Sequence, residues 1–278
     1  MADVVLYEIQ DGIAIITLNR PERRNAVNAE LGQALNEALV RAATDREAKA
    51  LVITGAGTGF CAGGDADHLG NAAAGVARVA VSPTEPDPMF AALPETPPEL
   101  RSRYTFARAM PVPVIAAMNG PAAGAGMALA LSADFRFAAP TAAFMAGFIR
   151  IGAVPEVALA WTVTQLIGGA AARDILLSGR RVDAEEALRL GLVTRICAEG
   201  QVLEESLAFA REVVRNCSPR SLAVTKRMLQ AANSQSFAEA FEMARIETRP
   251  AIRGSHFREG VTALRERRAP NWPDRDEN

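Results

Sequence analysis

The sequence predicts an α/β fold with at least partly parallel strand pairing, followed by a helical C-terminal appendage. Three observations carry that expectation. Short apolar, β-rich runs alternate with helical stretches over residues 1–200, the order that a parallel sheet with crossover helices requires. From residue 203 onward the pattern is helical only. The 278 residues, 49% hydrophobic and 22% charged, suffice for one sizeable core and exclude wholesale disorder.

Taken in order, residues 4–9 and 13–18 are β-rich and flank Asp11-Gly12, the short-range signal for a hairpin. A polar connection, 19–28, leads into a helix over 29–43, where Leu31, Leu35 and Leu39 keep i, i+4 spacing. Residues 51–54, 112–118 and 135–139 are short apolar strands, and 124–132 and 155–167 are helical. Asp183, followed three residues on by Glu186, reads as an acidic capping box, with Gly191 closing that helix. Ser218-Pro219 starts a helix running to Ala232. Further helical faces cover 237–246 and 257–268; this tail is too thin to fold alone and is expected to pack on the body or on a neighbouring subunit. Residues 70–100 hold prolines at 83, 86, 88, 94, 97 and 98, the composition of a lid or a disordered insertion.

A net charge of −2 and 5% aromatics give no reason to expect a nucleic-acid partner, which calls for a basic surplus or stacking platforms. Cys61, Cys197 and Cys217 are odd in number and far apart, so no disulfide framework is implied. With two histidines, His68 and His256, no metal site is expected. No charged start with an apolar run opens the chain, and its most apolar stretch, 121–133, is too short for a bilayer. The expected address is the cytoplasm, with no membrane partner.

Two glycine-rich stretches follow strands. In Thr54-Gly-Ala-Gly-Thr-Gly-Phe-Cys-Ala-Gly-Gly-Asp65, Phe60 stands where a dinucleotide loop needs its third glycine, and no Lys-Ser/Thr pair follows. Rossmann and Walker sites are therefore disfavoured. The stretch is either a tight turn without a ligand or a loop that lets one approach the backbone. Asn119-Gly-Pro-Ala-Ala-Gly-Ala-Gly-Met-Ala128 follows a strand and opens a helix. Its small residues serve close helix–sheet packing, or its free N–H groups face a developing anion. Two such loops suggest one backbone donor from each, converging on a single oxygen.

These motifs carry a resemblance. Asn19-Arg-Pro-Glu-Arg-Arg-Asn-Ala26, Phe60-Cys-Ala-Gly-Gly-Asp65 and Pro113-Val-Ile-Ala-Ala-Met-Asn-Gly-Pro-Ala-Ala-Gly-Ala-Gly126 resemble the crotonase (enoyl-CoA hydratase/isomerase) superfamily, in that order. Ala184-Glu-Glu-Ala-Leu-Arg-Leu-Gly-Leu-Val193 and Phe257-Arg-Glu-Gly-Val-Thr-Ala-Leu264 fit as well. The resemblance implies a spiral of ββα units over 1–200, and a C-terminal helical region, 201–278, that assembles trimers or dimers of trimers. It implies an acyl-CoA thioester as substrate, with coenzyme A arriving only as part of it and no permanently bound cofactor. The backbone N–H groups of Gly64 and Ala125 would form an oxyanion hole. The coenzyme arm would lie along residues 22–24, with Ala62 and Asp65 near its adenine end. Arg24 either contacts a phosphate there or is a solvated surface arginine.

The proton-transfer groups depart from the family. Its hydratases use two glutamates; the matching positions here are Ala128 and Phe148, which move no protons. Phe148 is left as a pocket residue. The remaining carboxylate is Glu156, after Pro155. It is read either as the acid/base of a double-bond shift or as a first-turn glutamate facing the helix dipole. Trp161 and Phe148 are expected beside it. Cys61, Met127 and Trp161 read as packing, His68 as lid or surface, and the arginines of 245–268 as a solvated face. The expected activity is isomerisation of an enoyl-CoA through a stabilised enolate. Atypical hydration, thioester hydrolysis, decarboxylation and a non-catalytic acyl-CoA binder are the alternatives.

Overall fold

Asp11 and Gly12, left-handed at φ 52° and 77°, close a two-residue hairpin between β1 (Val5–Gln10) and β2 (Ile13–Leu18). Positive φ at both central residues is what a turn matched to the strand twist demands. The computed structural model of the chain describes residues 3–74, 87–92 and 96–275. Beside β2 lie β3 (Ala50–Gly55), β4 (Val114–Met118), β6 (Phe135–Ala138) and β9 (Arg195–Ile196). These run in parallel, giving a sheet of order β1-β2-β3-β4-β6-β9. A second, small sheet holds β5 (Ala122–Ala123), β7 (Ala143–Met145) and β8 (Arg181–Asp183).

The repeating unit is one long strand, one short extended stretch in the small sheet, and a helix. β4, β5 and α3 (Ala125–Ser132) form such a unit. β3 starts another, in which Cys61 bridges to Ala122 of β5 and α2 (Ala66–Ala73) follows. Repeating it produces the expected spiral of ββα units. Alternate residues of the central strands enter different cores, because side chains of a strand point to opposite faces. Ala14, Ile16, Leu51, Ile53, Val114 and Ala116 join one cluster with α1 (Ala29–Thr44) and α3. Ile13, Ile15, Val52 and Ile115 join the other, which Val202, Leu207 and Ala210 of α6 (Val202–Asn216) cover.

Three expectations need correction. The helix read from residue 155 is α4 (Leu159–Ser178); it starts later because Val157 and Ala158 are left-handed at φ 47° and 56°. It also runs past residue 167 through a kink at Gly168. α2 was not anticipated: it occupies the start of the proline-rich stretch. The capping box of α5 (Ala184–Leu190) is half formed. The Glu186 N–H donates to Asp183 Oδ1 at 2.9 Å, while the Glu186 carboxylate turns to Arg180 at 2.7 Å.

Within the 70–100 stretch, residues 75–86 and 93–95 lie outside the described residues, so a lid there is untested. Its return limb packs against α1: Phe90 is fully buried, 4.4 Å from Phe106 between ring centroids. The C-terminal α7 (Pro219–Ala231) and α8 (Phe237–Ala251) bury no residue, and with α9 (Ser255–Glu266) they leave Phe237, Phe241 and Leu264 86%, 63% and 79% exposed. Among the described residues no helix is long and apolar enough to cross a membrane.

Candidate active site

The two glycine-rich loops are stitched together. Cys61 and Ala122 form a parallel bridge; the Ala123 N–H donates to the Cys61 carbonyl at 3.0 Å and the Phe60 N–H to that of Pro121 at 3.1 Å. Two asparagine amides, buried Asn25 and half-buried Asn119, brace the first loop. Asn25 donates to the Ala56 and Gly59 carbonyls at 2.9 and 2.8 Å. Asn119 donates to Gly57 and Gly59 at 2.9 and 3.1 Å and accepts from the Gly55 N–H at 3.1 Å. Gly126 must lack a side chain, because a Cβ there would run into the Cys61 carbonyl.

Gly64 forms a second parallel bridge, to Val27. Its neighbours serve that bridge: the Val27 N–H donates to Gly63 O at 2.7 Å and the Asp65 N–H to Val27 O at 3.0 Å. The Gly64 N–H therefore points away from Val27, and among the described residues it has no acceptor. Ala125 opens α3, where the first N–H groups have no partner within the helix, and its N–H is likewise unpaired. The loops are close here: a Cβ built on Gly63 lies 3.4 Å from the Ala125 nitrogen and 2.7 Å from the Ala123 carbonyl oxygen. Two free backbone donors thus sit on adjoining turns, where a partial negative charge finds ready-made dipoles.

The other anticipated residues fall in two groups. Arg24 and Ala62 are exposed neighbours, the Ala62 N–H donating to the Arg24 carbonyl at 3.0 Å. Asp65, by contrast, is 4% exposed and its carboxylate faces inward, 2.9 Å from Arg20. Burial alone would raise its pKa. The Arg20 guanidinium and the Asp67 N–H outweigh that and hold it below the ordinary carboxylate range. Its side chain therefore fastens the loop to α2 rather than reaching outward. Ala128 and Phe148 are buried and apolar, as their residue types dictate.

Glu156 stands before α4, not in its first turn. The helix-dipole reading thereby loses its geometry. The residue lies at an exposed rim, yet partial desolvation of its carboxyl raises the pKa. Trp161 is not a buried companion: it is 39% exposed and lies under the Arg108 guanidinium at 5.6 Å. Tyr104 is the group the sequence reading missed. It is buried, and desolvation pushes its phenol up to about 12, with Cys61 and Glu156 both near enough to contribute. No motif marks it, since it follows the proline-rich stretch by a few residues. Cys61 is fully buried, its thiol pushed up to about 11 by desolvation, the profile of packing and not of a nucleophile. The His68 side chain lies outside the described residues.

Similarity to known proteins runs along nearly the whole chain. A profile of the enoyl-CoA hydratase/isomerase family matches residues 8–275. A Rhodobacter capsulatus protein named "Probable enoyl-CoA hydratase" is 37% identical over 272 residues, covering 98% of both chains. Escherichia coli 1,2-epoxyphenylacetyl-CoA isomerase is 31% identical over 275 residues, covering 98% of this chain and 99% of its own. The crystal structure of an enoyl-CoA hydratase from Mycobacterium tuberculosis H37Rv matches with a TM-score of 0.82 at 30% identity, covering 98% of this chain and 99% of that one. With the spiral, the two joined glycine loops and these relatives in place, the chain belongs to the enoyl-CoA hydratase/isomerase (crotonase) family, whose enzymes act on coenzyme A thioesters.

Proposed function

We propose that the protein shifts the double bond of an enoyl-CoA, with Glu156 carrying the proton and the Gly64 and Ala125 N–H groups holding the thioester oxygen. Glu156 removes a proton from C2 of a 3-enoyl thioester; the electron pair moves onto the carbonyl oxygen, giving an enolate. The two donors face that oxygen as it becomes negative, and removing one such donor costs about 10²–10³ in rate in other enzymes. Collapse of the enolate with protonation at C4 by the same carboxyl leaves a 2-enoyl thioester. A raised pKa suits Glu156 to both halves, because it must accept a proton and give it back.

The observation that carries this reading is the pair of unpaired amides beside a site with Ala128 and Phe148 where the family's hydratases place their two glutamates. One relative is named an isomerase, of an epoxide-bearing acyl-CoA and not of an enoyl one, so it supports an isomerase only in the broad sense. Glu156→Gln tests it: 3-enoyl-CoA conversion is expected to fall by at least about 10²-fold, the usual worth of a positioned acid/base. Conversion at the parent rate removes Glu156 from the mechanism.

The relatives named hydratase favour a second reading, water addition with unusual residues. Product analysis over a panel of acyl-CoA thioesters separates it from isomerisation, from thioester hydrolysis and from decarboxylation. Binding without any product would identify a non-catalytic acyl-CoA binder. In either case coenzyme A enters as part of the thioester, along Arg24 and Ala62, with no resident cofactor. The exposed apolar residues of α7–α9 support assembly as a trimer or dimer of trimers through region 201–278.

A further inference from the structure

The glycine loops leave the carboxyl ends of β3 and β4. At the opposite, amino ends of β4 and β6, under α7, lies a cavity of about 440 Å³ lined by Pro113, Asp134 and Phe135. The five residues of β4, at roughly 3.3 Å each, put about 16 Å of strand between this cavity and the loops. It is therefore separate from the site above. Its volume falls within the roughly 300–1,000 Å³ typical of small-molecule sites.

Much of the lining is aliphatic: Leu131 from the end of α3, Leu166 from α4, and Leu222 and Leu229 from α7. The charged lining residues are Arg108, Arg136 and Lys226 against a single acid, Asp134. That carboxylate is already engaged, since its Oδ2 accepts from Lys226 Nζ at 2.6 Å and from the Val114 N–H at 2.8 Å. The two arginines have neutral partners. Arg136, 6% exposed, donates Nε and Nη1 to the Leu192 and Ala133 carbonyls, both at 2.6 Å. Arg108 donates Nη2 to Thr162 Oγ1 at 3.0 Å and Nη1 to Gln230 Oε1 at 3.4 Å. Such acceptors orient a guanidinium without balancing its charge. Burial accordingly lowers the pKa of all three cations in spite of Asp134.

Gln230 stands one turn beyond Lys226 on α7, so the two share a helix face, and Arg108 and Lys226 meet that same face. The Arg108–Gln230 contact is long for a hydrogen bond, which leaves Nη1 free to take a stronger acceptor at little loss. We propose that this cavity binds a medium-chain carboxylate, its anionic head between Arg108 and Lys226 and its chain along Leu131, Leu166, Leu222 and Leu229. The head supplies the counter-charge that Asp134 alone does not, in the planar geometry a guanidinium favours. The aliphatic lining takes the chain, which an inorganic anion lacks. Because Arg108 also lies over the Trp161 ring at 5.6 Å, occupancy changes the surroundings of that indole.

Calorimetric titration of the full chain with sodium octanoate, octanamide and sodium acetate separates head from tail. Octanoate is expected to saturate at one molecule per chain and to bind at least about tenfold more tightly than either control, the worth of one charge-assisted hydrogen bond. Arg108→Gln removes the charge and keeps a donor for Thr162; it lowers octanoate affinity about ten- to a hundredfold, whereas Glu156→Gln leaves it unchanged. In a Trp272→Phe background, where Trp161 is the remaining tryptophan, octanoate shifts the emission and Arg108→Gln abolishes the shift. Should Arg108→Gln fail to fold, Leu229→Glu sets a carboxylate at a side chain that is 67% exposed and is expected to weaken octanoate in the same way. No octanoate binding, equal binding of octanoate and octanamide, or an affinity that neither variant moves overturns the proposal. A loss with Glu156→Gln assigns octanoate to the acyl site and overturns it too. So does binding that appears only once the oligomer is dissociated, because a neighbouring copy then fills the cavity.

Discussion

Asp65→Asn isolates one electrostatic contact that holds the first glycine loop in place. The Asp65 carboxylate lies 2.9 Å from Arg20 Nη1, with the two side chains 6% and 14% exposed. Its second oxygen accepts the Asp67 N–H at 3.1 Å. Asparagine keeps the shape and can still accept from Asp67, but it leaves a buried guanidinium without its counter-charge. Breaking a fully buried pair costs about 3–5 kcal/mol. Arg20 retains the Ala26 carbonyl at 2.6 Å and some contact with water, so about 2–3 kcal/mol is the better figure here. At roughly 2–4 °C per kcal/mol, the midpoint of thermal unfolding falls by about 5–10 °C. The sign with pH follows from the depressed pKa of Asp65. Its stabilisation is complete above the unfolded carboxylate value near about 4 and is lost as pH falls through the lower folded value. Melts of the parent and Asp65→Asn should therefore differ at pH 7 and converge in acid. An unchanged gap at acid pH, or none at pH 7, refutes the argument.

Phe90→Ala should destabilise by about 3–5 kcal/mol, since it empties a fully buried site against Phe106; denaturant unfolding measures it, and a loss under about 1 kcal/mol would mean that the return limb is not part of the core. The pH profile of kcat/KM for 3-enoyl-CoA should rise through a pKa above the ordinary glutamate value, because Glu156 works as a base only when ionised and desolvation delays that ionisation; a profile with no such limb contradicts its role. Phe241→Asp places a charge on an exposed apolar face of α8 and should lower the oligomeric state seen by sedimentation without changing the melt of the isolated fold. An unaltered sedimentation coefficient would remove that face from the assembly.

What the sequence showed of the fold was local and periodic. Asp11-Gly12 marked its turn because few residue pairs accept two left-handed conformations in succession. The central strands were visible as apolar runs because both their faces are buried. β5, β8 and β9 have two or three residues each, too short to carry a period. The start of α4 was misplaced because Pro155 is a common first-turn residue, while the left-handed Val157 and Ala158 that delay the helix are held there by tertiary context. Gly168, a stop signal by type, instead kinks a helix that continues.

The site divided in the same way. Its glycine loops were legible, since close backbone contact leaves a mark in residue type. Its braces were not: Asn25 acts on carbonyls up to 34 residues away and Arg20 on a carboxylate 45 away. Arg103 and Asn36 meet across 67 residues, and no local pattern records such a meeting. Glu156 was singled out by position alone; its exposed place ahead of α4 came only with the structure.

The two free donors of Gly64 and Ala125 belong to the main chain, and only proline at either position deletes one outright. Any other exchange at neighbouring positions leaves them in place so long as Cys61 and Ala122 stay paired. A pair of donors built from the main chain is thus insulated from side-chain exchange around it, so on the proposed reading the reaction would be the most changeable property of this protein and the donor pair its least.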